Sequence, residues 1–565
     1  MQQQNNPSDN TSFLKTSNIY ASSTVFSAVE IGTEFNDSSI VASVYADLLP
    51  SYVVVLGDSA SSGKTTWTSS PYLASYYLST YLVRPSTVMS APDTFGELGL
   101  SIIGMGTQYP PHKLESGCLE ILRKRYYPES APMSKVLSIN RFTGIETRSS
   151  IGTPDHPIVN QDKAPSIAEL HALFLSEGVP LAVRAARKAI DEARIDLSEI
   201  THIVSNTCTD SANPGYDHYV AKELGITHPV EKFLLHGIGC SGGLAVLRTA
   251  ANLALGHTAR GKPARVLCVT LEICSTLVRS ELDSIHQNQE TRIGLALFSD
   301  CASAAVLSNG IGIGVSTSGR NPPAEPIYEL LGWQHRIIPD TDEDLGFDVD
   351  PLGWKVVLSP RVPKLATSVV PPTFADLLAS LPALPLSYRN PDDFDWAMHP
   401  GGATILTMAE KAMRIVPAHM RASYDTYINH GNSSSATIFS VMDRLRHKDM
   451  DALAPDGRVR DYVVGCAFGP GITVEMCMLK RNLGARDITA GLQTPPETES
   501  EGSRSELDED ANSMGYTAAG SGMEDIASRP AAGTGAGGTR HLEQRRGRAR
   551  DDAFIAEELE QLDLD

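Results

Sequence analysis

Between residues 96 and 481 the apolar positions alternate between two periods. Over 180–194 (PLAVRAARKAIDEAR), Ala182, Ala185, Ala186, Ala189 and Ala193 return at helical spacing, which predicts a helix with one buried face of small residues. ITHIVSN at 200–206 is a short continuous apolar run and predicts a buried strand. EKFLLHGIG (231–239) predicts another strand, SGGLAVLRTAANLALG (241–256) a helix, and ARVLCVTLEI (264–273) a further strand. Strand, helix and strand joined by short crossovers are what a parallel sheet requires. A second series follows in DWAMHPGGATILTMAEKAM, YINHGNSSSATIFSVMDRL and DYVVGCAFGPGITVEMCML, each with a Gly-rich turn beside a strand. The fold class expected is α/β, with two halves built alike and the loops between them around one cleft.

The flanks read differently. Residues 1–95 are rich in Ser, Thr and Tyr with weak periodicity, and are expected to be a poorly ordered extension. Residues 482–565 are rich in Gly, Ala, Ser, Glu and Asp, with Tyr516 and Phe554 as their two aromatics. Such a segment buries too little surface to offset its ordering entropy, so a disordered acidic tail is expected. Its basic patch, Arg545, Arg546, Arg548 and Arg550, reads as part of a solvated mixed-charge segment. The array itself divides into halves at 96–309 and 310–481.

Charge narrows the function class. The formal net charge of the 565 residues is −20, which excludes the basic stripe a nucleic-acid binder needs, but not local cations for a phosphate-bearing small molecule. None of the eight cysteines forms a zinc-like CxxC pair, and several lie in apolar runs, so reduced buried thiols and no metal site are expected. The polar opening MQQQNNPSDN lacks the apolar core of a secretory signal, and no apolar run is long enough to span a membrane; a cytoplasmic protein is expected.

Three Gly-rich turns carry candidate chemistry. In HGIGCSGGLAVLRTA, Gly237, Gly239, Gly242 and Gly243 surround Cys240. Glycines there permit a sharp turn and close backbone approach, and a thiol just before a helix meets exposed N–H groups whose field favours thiolate. The same residues fit G-x-S-x-G, the elbow of α/β-hydrolases, in which Ser241 is the nucleophile, His399 its base and Asp395 the orienter. His399 closes DWAMH and precedes a Gly pair, a position suited to a base. Asn432, in HGNSSSATIF, is either an N-cap or an amide donor to a developing enolate oxygen. Gly469, Pro470 and Gly471 force an irregular turn that shapes a cavity wall. Two phosphate-loop lookalikes fail: the spacing from Gly57 to Gly63 is one residue too long, and GIGIGVSTSG at 310–319 lacks a following helix.

Cys240, His399 and Asn432 in that order, each in a Gly-rich turn of a duplicated array, resemble the chalcone-synthase-like type III polyketide synthases. HGIGCSGG looks like the family's nucleophile turn, HPGGATIL its His segment, GNSSSAT its Asn segment and FGPGITVE its closing loop. The likeness runs from IIGMGTQYPPH near residue 100 to 481 and is closest to fungal members; plant members usually carry Met where Asn213 stands. The resemblance implies a thiolase fold in layered αβαβα arrangement and a homodimer with one site per subunit. It implies acyl-CoA and malonyl-CoA as substrates, with no cofactor. It places Cys208, Thr209, Cys274, Leu277, Phe298, Val356 and Ser434 on the cavity wall, and Lys135, Arg141, Arg148, Gly401 and Gly402 at the CoA. Small apolar wall residues imply a fatty acyl starter, and alkylpyrone, resorcinol or resorcylic acid products. The competing readings are the Ser241 hydrolase, a ketoacyl synthase III-like condensing enzyme and a non-enzymatic scaffold acting through its tails.

Overall fold

The computed structural model describes residues 95–312, 324–350 and 353–484, the side chains of 348–353 excepted, and the backbone of strands between residues 20 and 56. Two compact units emerge, Met1–Met89 and Ser90–Asp565. In the first, Glu30–Asn36, Ser39–Ala46 and Leu49–Leu56 pair antiparallel in sequence order. These strands lie in the extension expected to be poorly ordered; most of its remainder, residues 57–64 among them, residues 313–319 of the Gly-rich 310–319 segment and the tail from 485 lie outside the described residues.

The second unit is built on nine strands: β1 (Leu100–Gln108), β2 (His202–Asn206), β3 (Glu231–Leu235), β4 (Arg265–Ile273), β5 (Asp300–Ser308), β6 (Tyr328–Ile337), β7 (Asp395–Met398), β8 (Tyr462–Gly469) and β9 (Thr473–Arg481). They form one sheet in the order β3-β2-β4-β5-β1-β6-β9-β8-β7. The two halves repeat a plan. β2 runs parallel to β4, β4 antiparallel to β5 and β5 antiparallel to β1; β7 runs parallel to β8, β8 antiparallel to β9 and β9 antiparallel to β6. An antiparallel contact of β1 with β6 joins the halves edge to edge.

Side-chain alternation shows why the halves stack. Along β4, Val266 and Cys268 face one core while Leu267, Val269, Leu271 and Ile273 face another; along β8, Val463 and Ala467 oppose Val464, Cys466 and Phe468. Strands buried on both faces need a layer on each side. The central layer is two helices, α2 (Gly242–Thr258) and α5 (Thr437–Leu445), whose Leu244, Leu247, Ala251, Ile438, Phe439 and Met442 share a core with strands of both halves. Outside the first half lies α1 (Val179–Ala193), on the alanine face read from the sequence; outside the second lie α3 (Val370–Ser380) and α4 (Ala403–Met413). Helix, sheet, helices, sheet and helix make the expected five layers.

One buried ion cluster ties the second half together. Asp395 at the start of β7 accepts two 2.8 Å bonds from the Arg421 guanidinium and a 3.0 Å bond from Arg481, all three buried. Removing the carboxylate strands the buried Arg421 and leaves Arg481 only a 3.9 Å contact with Asp451. Asp395→Ala is therefore expected to lower stability by about 3–5 kcal/mol, read as a fall in the urea midpoint; an unchanged midpoint would contradict this structural role.

Candidate active site

Cys240 sits in a single 3-10 turn, Gly239–Ser241, between β3 and α2. Gly237 (φ +75°) and Gly239 (φ +57°) take left-handed backbone that a side chain disfavours. Gly239 also lies against Pro470, whose ring atoms would stand 2.6–2.7 Å from an added Cβ. A Cβ on Gly242 would overlap the Asn206 side chain, and one on Gly243 would overlap Ile438 of α5. The glycines thus let the nucleophile turn press on β2, on the second central helix and on the closing loop. That loop packs against the turn itself: a Cβ on Gly469 would strike Ser241 Oγ, and Gly471 (φ +57°) turns the chain back into β9.

Asn432 follows helix Arg421–His430, and its backbone forms a bridge with Phe298, donating to Leu297 O (3.0 Å) and accepting from Ser299 N (2.8 Å). Its amide orientation is set by one bond: Oδ1 accepts from the Ser434 N–H at 2.8 Å. A carbonyl oxygen held there turns Nδ2 the other way, where it donates to Gly401 O at 3.3 Å and lies within reach of the Cys240 thiol. Ser434 holds φ +46°, rare for a residue with a side chain, and its hydroxyl lies 3.5 Å from Sγ of Cys240 and 3.3 Å from Sγ of Cys208.

His399 directly follows β7, its N–H donating to Cys466 O at 2.8 Å. The ring is 1% exposed and neither nitrogen has a protein partner, an arrangement costly unless a substrate completes it. Gly401 lies beside the ring: a Cβ there would stand 3.7 Å from Nε2. Direct contacts therefore link Cys240 to Ser434 and Asn432, and Asn432 through Gly401 to His399.

Electrostatics departs from the expectation at the thiol. Burial pushes Cys240 up to about 11, opposed in part by the Ser434 and Asn432 bonds and reinforced by the Glu272 carboxylate. Burial likewise pushes His399 down to about 3. The helix N-terminus does not overcome this desolvation, so thiol and imidazole are both neutral in the empty site near pH 7.

A cavity of about 900 Å³, open solvent at its mouth included, reaches this cluster through the Phe298–Asn432 bridge; Cys240, His399 and Asn432 are not among its lining residues. Cys274, Leu277, Phe298 and Val356, all expected on the wall, line it. Cys208 and Thr209 instead meet a buried carboxylate, Glu272, which accepts from Cys208 N (3.1 Å), Thr209 Oγ1 (3.0 Å) and Ser435 Oγ (2.5 Å), and Ser434 lies against the thiols of Cys208 and Cys240. Glu272 went unread in the sequence; the available signal was an acid inside the otherwise apolar run ARVLCVTLEI.

Of the cations expected at CoA, Lys135 lies on the helix Ala131–Phe142 and Arg141 ends that helix, paired with Glu120 at 3.0 Å. Arg148 is corrected: it is a buried cavity-wall residue donating to Ala296 O, lowered to about 10 by burial, and not a surface contact for phosphate.

The hydrolase reading is also corrected. Ser241 is fully buried and donates to Ile238 O at 3.2 Å with Thr473 Oγ1 at 3.3 Å, so its hydroxyl faces the closing loop. Asp395 holds Arg421 and Arg481, and among the described residues no carboxylate bonds to the His399 ring.

Comparison with known proteins agrees with this geometry. Family models described as chalcone and stilbene synthases, N-terminal domain and C-terminal domain, match residues 141–311 and 329–482. The acylalkylpyrone synthase CsyB of Aspergillus oryzae is 38% identical over 384 residues, 68% of this chain and 94% of that protein. The type III polyketide synthase pspB of Penicillium soppii is 38% identical over 398 residues, 68% of this chain and 96% of that protein. A solved type III pentaketide synthase from Neurospora crassa is 68% identical with TM-score 0.66, over 68% of this chain and all of that one. CsyB complexed with CoA-SH is 37% identical with TM-score 0.64, over 68% of this chain and all of that one. With its thiolase-like layers and a buried thiol beside an oriented amide, the chain belongs to the chalcone and stilbene synthase family, and is a type III polyketide synthase, a condensing acyltransferase.

Proposed function

We propose that the enzyme loads a fatty acyl group from acyl-CoA onto Cys240, extends it with malonyl-CoA and cyclises the chain to an alkylpyrone, resorcinol or resorcylic acid. The observation that carries this reading is the backbone bridge between Phe298 and Asn432. It joins the wall of a mostly apolar cavity directly to the residue whose amide faces the nucleophile.

In the first step the neutral imidazole of His399 takes the Cys240 proton as sulfur attacks the starter thioester, and CoA leaves as the thiol. In the second, the malonyl thioester oxygen receives hydrogen bonds from Asn432 Nδ2 and His399. Loss of CO2 leaves an enolate that these donors stabilise. The enolate carbon attacks the acyl-Cys carbonyl, forming the carbon–carbon bond and releasing the Cys240 thiolate. The lengthened chain returns to Cys240 for the next round. Desolvation supports the neutral starting pair, because no ion pair must be broken before the starter enters.

The apolar wall of Leu277, Phe298 and Val356 suits an alkyl chain, and the naming of CsyB as an acylalkylpyrone synthase supports that product class. The CsyB complex with CoA-SH supports a CoA site here, which we place at Lys135, Arg141, Gly401 and Gly402. We also read the chain as two thiolase-like halves, at 96–309 and 310–481, working as a cytoplasmic homodimer without a cofactor. Among the described residues no helix is long and apolar enough to cross a membrane.

The direct test is incubation with malonyl-CoA and acyl-CoAs of graded length, with products identified by mass spectrometry. Turnover without any carrier protein is expected; a strict carrier requirement would favour the ketoacyl synthase reading. Leu277→Trp, which fills the cavity, is expected to move the preferred starter to shorter chains by about tenfold in relative kcat/KM, roughly the discrimination a single methylene gives. An unchanged length profile would remove Leu277 from the starter pocket.

A further inference from the structure

At the end of the β3–turn–α2 unit remote from Cys240, three potential ligands converge on three elements. His202 opens β2, Glu231 opens the neighbouring strand β3 directly opposite it in register, and His257 lies in the last turn of α2. Their donor atoms lie within 4.8 Å of one another, with His202 Nε2 4.0 Å from Glu231 Oε1. Two ligands of one tetrahedral zinc ion stand about 3.4 Å apart, given bond lengths near 2.0–2.2 Å. The three side chains would draw in on the ion by rotation, for which the exposed Glu231 has the most room.

The hydrogen bond behind His257 fixes its tautomer. His257 Nδ1 lies 2.8 Å from Pro263 O, a carbonyl that can only accept, so Nδ1 carries the proton and Nε2 keeps a lone pair. His202 Nδ1 lies 2.8 Å from Thr201 Oγ1, a hydroxyl that also has Arg265 O at 3.1 Å. With the hydroxyl proton on that carbonyl, Thr201 accepts from His202 Nδ1–H and His202 Nε2 is open to a metal.

We propose that His202, Glu231 and His257 hold a zinc ion, its fourth position completed by water, that clips the C-terminus of α2 to the starts of β2 and β3. Two imidazoles and a carboxylate select zinc over oxygen-preferring calcium or magnesium. The 17-residue helix separates this clip from Cys240 by about 25 Å, so the ion takes no part in the condensation.

The test titrates Zn²⁺ into metal-stripped full-length enzyme against a chromophoric chelator. A Cys240→Ala background removes the active-site thiol as a competing ligand. About one Zn²⁺ per chain is expected, with a saturable rise in thermal midpoint. His257→Ala and Glu231→Gln, both chosen because neither removes the buried ring of His202, are each expected to weaken binding by about tenfold or more. With Cys240 intact, both variants should keep basal condensing activity in zinc-free buffer, which shows that they fold. Absence of saturable binding, or an affinity unchanged in both variants, would overturn the site.

Discussion

Cys240→Ala is expected to abolish acyl-enzyme formation and to lower product formation by at least about 10⁴-fold, while Ser241→Ala retains an acyl-enzyme. The size follows from removing a covalent nucleophile outright, which costs about 10⁴–10⁶ in turnover where the other groups act through it. The contrast follows from geometry. Cys240 Sγ meets Ser434 Oγ and the Asn432 amide, whereas the adjacent hydroxyl is spent on Ile238 O and Thr473. Turnover assays and intact-protein mass spectrometry after exposure to an acyl-CoA check both. Loss of the acyl-enzyme in Ser241→Ala with its retention in Cys240→Ala would restore the hydrolase elbow.

Asn432→Ala is expected to lower malonyl-CoA decarboxylation by about 10²–10³ while leaving starter loading within a few-fold. Removal of one preorganised donor to a developing oxyanion costs that much. Loading needs the thiol and its base, whereas decarboxylation needs the enolate donors. The preorganisation is visible in the Ser434 N–H to Oδ1 bond, which holds the donor end of the amide on the nucleophile side. Single-turnover acylation and the rate of CO2 release separate the two steps. Equal losses in both would mean that Asn432 supports the turn as a whole and does not act on the malonyl group.

Much of this site was legible because its chemistry sits in local turns. Cys240, His399 and Asn432 each lie within a residue or two of glycines, and the glycines record contacts: Gly239 against Pro470, Gly243 against Ile438. The alternation of helical and strand periods likewise gave α1, α2 and the strands around them. What resisted reading depends on long-range burial. Glu272 is an acid in a strand, and only the fold shows that Cys208, Thr209 and Ser435 satisfy it. The family resemblance put Arg148 at the CoA; its burial in the cavity wall is a tertiary fact. The thiol pKa went the same way. A helix N-terminus is visible in sequence, but the desolvation that outweighs it is not. The contact of β1 with β6, which turns two halves into one sheet, joins strands more than two hundred residues apart and leaves no local mark.

The central claim is that Cys240 carries the growing acyl chain. It is tested most directly by incubating the wild-type enzyme with a long-chain acyl-CoA in the absence of malonyl-CoA, quenching in acid and mapping the acylated peptide by tandem mass spectrometry. The account predicts the acyl mass as a thioester on Cys240, chased off when malonyl-CoA is added before the quench. An acyl group on Ser241, on Cys208, or on no residue of the chain would contradict it.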